Sequence, residues 1–191
     1  MSALETETAT ETRTGTGAAA PAGGDGGRLL PLLPTTLAGF ADCDETDLTV
    51  VVPWTGPAID PETGLLRGPL PDRYLISASS GWPKPDAEET TADMIQVLIR
   101  EGRQKYGMLA ATFAYSERCW HSAKGLSLWR DEESMRAFVQ SADHVVAMRK
   151  TMKVMYAWES THWVATDTAR LPTFAEGKAR LSEVRRDHPV R

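Results

Sequence analysis

The sequence predicts an α+β domain built on one antiparallel sheet, and three observations carry that prediction. Short β-branched or aromatic runs, bounded by proline, glycine and polar turns, recur along the chain. Between them lie stretches whose apolar residues repeat at helical spacing. From Tyr74 onward the order is strand, helix, strand, strand, helix with a break, strand, helix. A chain of 191 residues holds one such domain with a tail.

Residues 1–27 are mostly Thr, Ala, Gly and Glu, which bury too little apolar surface to offset ordering, so a disordered tail is expected. Residues 28–72 form an N-terminal extension. In it, Leu48–Trp54 reads as an edge strand, because Pro53 cannot donate to a ladder. A Pro/Gly-rich loop follows from Gly56 to Pro71, either covering a pocket or connecting elements through solvent. The main domain occupies 73–191. Its first strand is Tyr74–Ser79, ended by Gly81-Trp82-Pro83. A helix from about Thr91 to Tyr106 carries Met94, Ile95, Val97, Leu98 and Ile99 on a broad apolar face, and Gly107 closes it. Met108–Tyr115 and His121–Trp129 make a hairpin. Asp131 caps the next helix, and Ser141 caps a second one running to about Met155 after a break near Gln140. Ala157–Thr166 is the last strand. Thr173 and Glu176 form a capping box for a terminal helix to about Val184.

This order is the split β-α-β, or ferredoxin-like, arrangement. With helices on one sheet face, the other face also needs cover, and pairing two sheets in a homodimer to close an α/β barrel would supply it. The formal charge of −5 gives no electrostatic footprint for nucleic acid. No apolar run is long enough to span a bilayer, and the N-terminus lacks the pattern of a secretory signal, so no membrane partner and a cytoplasmic location are expected. Cys43 and Cys119 are widely separated and read as free thiols.

Chemistry concentrates between His121 and Trp163. His144, Met148, Met152 and Met155 recur at i, i+4, i+8 and i+11, which places a histidine on a soft apolar stripe. That stripe suits a pocket wall with His144 as base, proton relay or ligand, and equally a core helix with a hydrogen-bonded histidine. Alternation puts His121, Ala123, Gly125, Ser127 and Trp129 on one face of their strand, and Trp158, Ser160, His162 and Val164 on one face of theirs. If these faces coincide, two histidines and two tryptophans line one cavity. The opposite register brings in Glu159, Thr161 and Trp163 instead, and the sequence leaves both open. The candidate catalytic residues are His144 and His121. The candidate substrate contacts are Trp129, Met148, Met152, Trp158, His162, Tyr74 and Phe138. No metal site is expected, because no HxH or HxxxH spacing occurs.

The run from Ser127 to Lys150, SLWRDEESMRAFVQSADHVVAMRK, resembles the dimeric α/β-barrel superfamily that includes antibiotic-biosynthesis and heme-degrading monooxygenases. The strand ending in Trp129, Phe138, the Ser141-led helix with His144, and Trp158/Trp163 carry the likeness, which is nearest to an uncharacterised branch. The resemblance implies a monooxygenase, or a cyclase or isomerase, of specialised metabolism, acting on an apolar or aromatic substrate with no cofactor required. It also implies two alternatives: a heme-binding protein with His144 or His121 on the iron, or a non-catalytic dimeric ligand-binding protein. In the heme-degrading members the axial histidine comes about one turn later, where this chain has Met148.

Overall fold

The computed structural model describes residues 32–85 and 87–190, so the expected 1–27 tail lies outside the described residues. Five strands form one sheet: β1 (Thr49–Thr55), β2 (Tyr74–Pro83), β3 (Met108–Ser116), β4 (Ser122–Trp129) and β5 (Met155–Ala165). Their order is β1-β3-β4-β2-β5, with every pairing antiparallel. The β2–β5 core of this order is the ferredoxin-like split β-α-β, and β1 adds an edge strand beside β3. Pro53 sits exposed in β1 where its register with β3 slips between Val52 and Thr55, consistent with a residue that has no N–H to give.

Local capping sets the helix boundaries. α2 (Glu88–Lys105) ends at Tyr106, and Gly107 takes φ 71°, which costs glycine little. Asp131 accepts from the Ser134 amide at 2.7 Å to start α3 (Glu132–Val139). The Ser134 hydroxyl and amide together hold that carboxyl at a pKa of about 2. Ser141 accepts from the His144 amide to start α4 (Ala142–Val154), so the expected break near Gln140 is present. Thr173 and Glu176 complete the capping box of α5 (Phe174–Val184).

Three boundaries differ from expectation. β2 runs through Gly81 and Trp82 to Pro83 because β4 keeps pairing as far as Gly81 and β5 as far as Pro83. α2 starts three residues before Thr91, after Ala87. β4 begins at Ser122, because Trp120 and His121 adopt φ of 51° and 56° and turn the chain out of the strand.

Helices α2, α3 and α4 lie on one sheet face. The second face is covered by the same chain. α1 (Leu37–Ala41) packs Leu37 and Phe40 against Trp82 and Ala157. α5 sets Leu181 on Ala78 and Leu126. Ile59 and Leu70, from the Pro/Gly-rich loop, pack on Tyr74, Ile76, Ala110 and Leu128. Through Ile59 and Leu70 the loop contributes core cover while most of its other residues stay exposed, and the expectation that a second copy must bury this face loses its reason.

The cysteines correct a second expectation: Cys43 and Cys119 form a disulfide, Cα–Cα 5.8 Å apart, so neither is a free thiol. Nearby contacts fasten residues 43–47 over the sheet. Glu45 accepts from Ser122 and pairs with the buried Lys124 amine at 2.6 Å, and Lys124 also donates to Ser80 over the Trp82 ring. Asp47 accepts from the Ser116 hydroxyl and the Arg118 amide, which lower its pKa.

Candidate functional site

Between the sheet and helices α2–α4 lies a cavity of about 530 Å³. Side-chain size explains why it is not filled. Antiparallel register places Ala111, Ser127, Ser77 and His162 in one row across β3, β4, β2 and β5. Phe113, Gly125, Ser79 and Ser160 form the next row, and Ala123, Gly81 and Trp158 lie in the one after. Apart from Phe113 and Tyr115, the β3 residue that pairs with Ala123, the positions of these rows on the three inner strands are Ala, Gly or Ser, so the floor stands low beneath the helices. The two rows also differ across their width. The β3 side is alanine and phenylalanine, whereas the β2 and β5 side carries hydroxyls and an imidazole.

The roof is apolar. α2 presents Met94, Ile95, Leu98 and Ile99, α3 presents Met135 and Phe138, and α4 presents His144, Met148 and Thr151. Trp129 closes one end with Met108. Its indole Nε1 donates to the Ser127 hydroxyl at 2.9 Å, and its ring packs on Phe138 at 4.9 Å between centroids.

His144 is fixed from two sides. Its ring packs on Phe138, 4.9 Å between centroids, and its Nδ1 lies 3.0 Å from the Val139 carbonyl. A carbonyl can only accept, so Nδ1 carries the proton and Nε2 keeps its lone pair. Burial lowers the His144 pKa below the ordinary 6.5, against a smaller opposing pull from the Val139 contact. At neutral pH this imidazole is therefore a neutral base. His162, exposed on β5, lines the same cavity. From the α4–β5 junction, the chain runs about 16 Å back along the helix to His144 and about 23 Å back along the strand to His162.

The register that brings Trp129, Trp158 and His162 to one face is the one present, and with His144, Met148 and Phe138 they line the cavity. Three candidates lie elsewhere. Tyr74 is buried on the opposite sheet face, where its hydroxyl donates to the Asp167 carbonyl at 2.8 Å. Met152 is 59% exposed, because eight residues at 100° each rotate it about 80° from His144, whereas Thr151 at i+7 returns to the stripe. His121 is exposed in the β3–β4 turn, packed on Tyr115, instead of facing inward from a strand. Trp163 belongs to the second face. Sequence reasoning put Ala123, Gly125 and Ser127 on the inward face of their strand but missed the matching floor of β2, whose signal was the period-two run of small residues at Ser77, Ser79 and Gly81.

Among the described residues, no group of three or more His, Cys, Asp or Glu side chains is placed to hold a metal ion. No helix among them is long and apolar enough to cross a membrane.

Comparison with the curated proteins finds no match. Among solved structures, the chain is similar to a candidate monooxygenase from Fusobacterium nucleatum, with 11% identity and TM-score 0.50 over 65% of this chain and 56% of that one. It is also similar to a candidate monooxygenase from Lactobacillus acidophilus, with 10% identity and TM-score 0.44 over 56% and 53%. A third is an antibiotic biosynthesis monooxygenase, with 13% identity and TM-score 0.42 over 51% and 99%. The chain spans little more than half the length of the first two. At such identities the likeness is one of fold, the ferredoxin-like arrangement. Residues 86–190, which hold α2 to α5 and most of the cavity, match the family described as Domain of unknown function (DUF3291), and the chain belongs to that family.

Proposed function

We propose that this protein is an enzyme that takes an apolar or aromatic small molecule into the α2–α4 cavity and acts on it by proton transfer to His144. The observation that carries this reading is the state of that histidine. Its Nδ1 is pinned by a backbone carbonyl, its burial favours the neutral form, and it lines a cavity whose roof is apolar. Removing a proton from an activated C–H or O–H group is the common first step of a cofactor-independent oxygenation and of a cyclisation or isomerisation. The floor beneath His144 has room for a flat substrate.

Proton transfer can be tested without the natural substrate. In D2O the protein should accelerate deuterium incorporation at the acidic benzylic carbon of 2-tetralone, a small apolar ketone. His144→Ala should lose roughly a hundredfold of that acceleration. Exchange no faster than in imidazole buffer, or equal in the variant, contradicts the proposal.

A second reading rests on the same fixed tautomer. A histidine whose Nδ1–H is held by a carbonyl is also oriented as a metal ligand. The residues present fit a heme: His144 Nε2 would hold the iron, and Met148, Met135 and Leu98 would pack on the porphyrin. When bound, that group would supply oxygen and one-electron chemistry. A Soret band that appears on hemin titration and is lost in His144→Ala supports this reading, and a flat titration removes it.

Homodimerisation belongs to this proposal on new grounds. β5 is an outer strand, and Trp158 and Val164 on it, like Val145 and Val146 on α4, are exposed apolar residues. Sedimentation showing a stable monomer would remove it. A cytoplasmic site of action would require the Cys43–Cys119 bridge to persist against a reducing thiol pool, which thermodynamically stable bridges resist.

A further inference from the structure

We propose that the row Ser127–Ser77–His162 is a recognition strip for one oxygen function of the ligand, so that the cavity selects apolar molecules bearing a hydroxyl or carbonyl over bare hydrocarbons. This inference rests on the reading of the cavity as a ligand site and adds what that ligand must carry. If the floor needed only to be low, alanine would serve, as it does at Ala111 on β3 and at Ala123 on β4. Hydroxyls stand instead at Ser77 and Ser127, directly paired across β2 and β4, with His162 opposite Ser77 on β5.

The hydrogen bonds already made leave capacity in the strip. Ser127 accepts from the Trp129 indole, which orients its oxygen and leaves its own proton to donate. Ser77 donates to the Thr161 carbonyl at a long 3.4 Å, which leaves its lone pairs to accept. The strip therefore offers a donor beside an acceptor on the floor of the cavity that His144 also lines, and the methionine roof covers the rest of a ligand held there.

The sign of a simple comparison tests this. A purely apolar pocket binds naphthalene more tightly than 2-naphthol, because the hydroxyl loses its water without replacement. The serine strip reverses the order. Titrations followed by tryptophan fluorescence and calorimetry should show the wild type binding 2-naphthol about tenfold more tightly than naphthalene. In Ser77→Ala and in Ser127→Ala the preference should shrink severalfold or invert, while naphthalene affinity, which reports that the cavity is still folded, stays unchanged. Naphthalene bound as tightly as 2-naphthol by the wild type, or a preference untouched by both substitutions, overturns the strip while leaving the cavity reading in place. Binding of neither probe overturns both.

Discussion

The two faces of this sheet are built for different ends. On the α1 and α5 side, large residues interlock. Trp82 and Phe40 are almost wholly buried, Tyr74 is buried and hydrogen-bonded, and the Cys43–Cys119 bridge and the Glu45–Lys124 pair fasten the N-terminal segment down. One smaller recess of about 210 Å³ remains there, beside Lys124 and Lys178. On the α2–α4 side the strands offer serine, alanine and glycine, and a cavity of about 530 Å³ stays open beneath the helices. Stability is concentrated on the first face and ligand capacity on the second. Substitutions should therefore separate the two properties.

The largest effect is expected at the bridge. It closes a loop with a sequence separation of 76, and losing it by Cys43→Ser or by reduction should cost about 4–5 kcal/mol. For a chain of this size that is roughly 10 °C in melting temperature. Melting curves with and without a phosphine reductant measure it, and coincident curves would show that the bridge does not hold this face. Next comes the buried ion pair. Glu45→Ala leaves the Lys124 ammonium, whose side chain is 7% exposed, without its partner, for a loss of about 3–5 kcal/mol in urea unfolding. Joint replacement, Glu45→Leu with Lys124→Met, should recover most of that loss.

The cavity face should respond the other way. Ser79→Leu places a side chain into the open floor beside Gly125, where a Cβ at Gly125 itself would already come within 2.9 Å of the Ser79 hydroxyl. Stability should change by about 0.5 kcal/mol or less, while naphthalene affinity falls by at least roughly tenfold as the space is filled. Equal losses in both measurements would erase the distinction between the faces.

The smallest effect is the pH dependence of His144. Its folded pKa lies below 6.5, so between the two values the unfolded chain binds more protons than the folded one. The stability linked to the neutral imidazole is complete above pH 6.5 and is lost as pH falls through the folded value. Unfolding free energies of wild type and His144→Gln should run parallel above pH 7. Below pH 6.5 the wild type should fall more steeply, and identical slopes would contradict the assignment of a neutral, buried base.

What the sequence revealed follows the range of each interaction. Asp131, Ser141 and the Thr173–Glu176 box act within one helical turn, and each cap is where its local pattern places it. The split β-α-β order was legible for the same reason, since strand and helix periods are local. Contacts distant in sequence were not. The Cys43–Cys119 pairing depends on residues 43–47 crossing the sheet, and no spacing encodes that. Tyr74 begins its strand on the side away from the cavity, and only the register with β4 and β5 reveals it. Aromatic and histidine residues drew notice in the sequence, whereas the cavity exists because of residues that are small.

The methionines provide the most direct test that the α2–α4 cavity is the ligand site. Of the seven in the chain, Met94, Met108, Met135, Met148 and Met155 line it, and Met152 stands outside on the exposed side of α4. In methyl NMR spectra of methionine-labelled protein titrated with naphthalene, the five cavity methyls should shift together with one saturation curve while Met152 stays fixed. Five unmoved methyls, or a shift confined to Met152, would show that the cavity does not take the ligand.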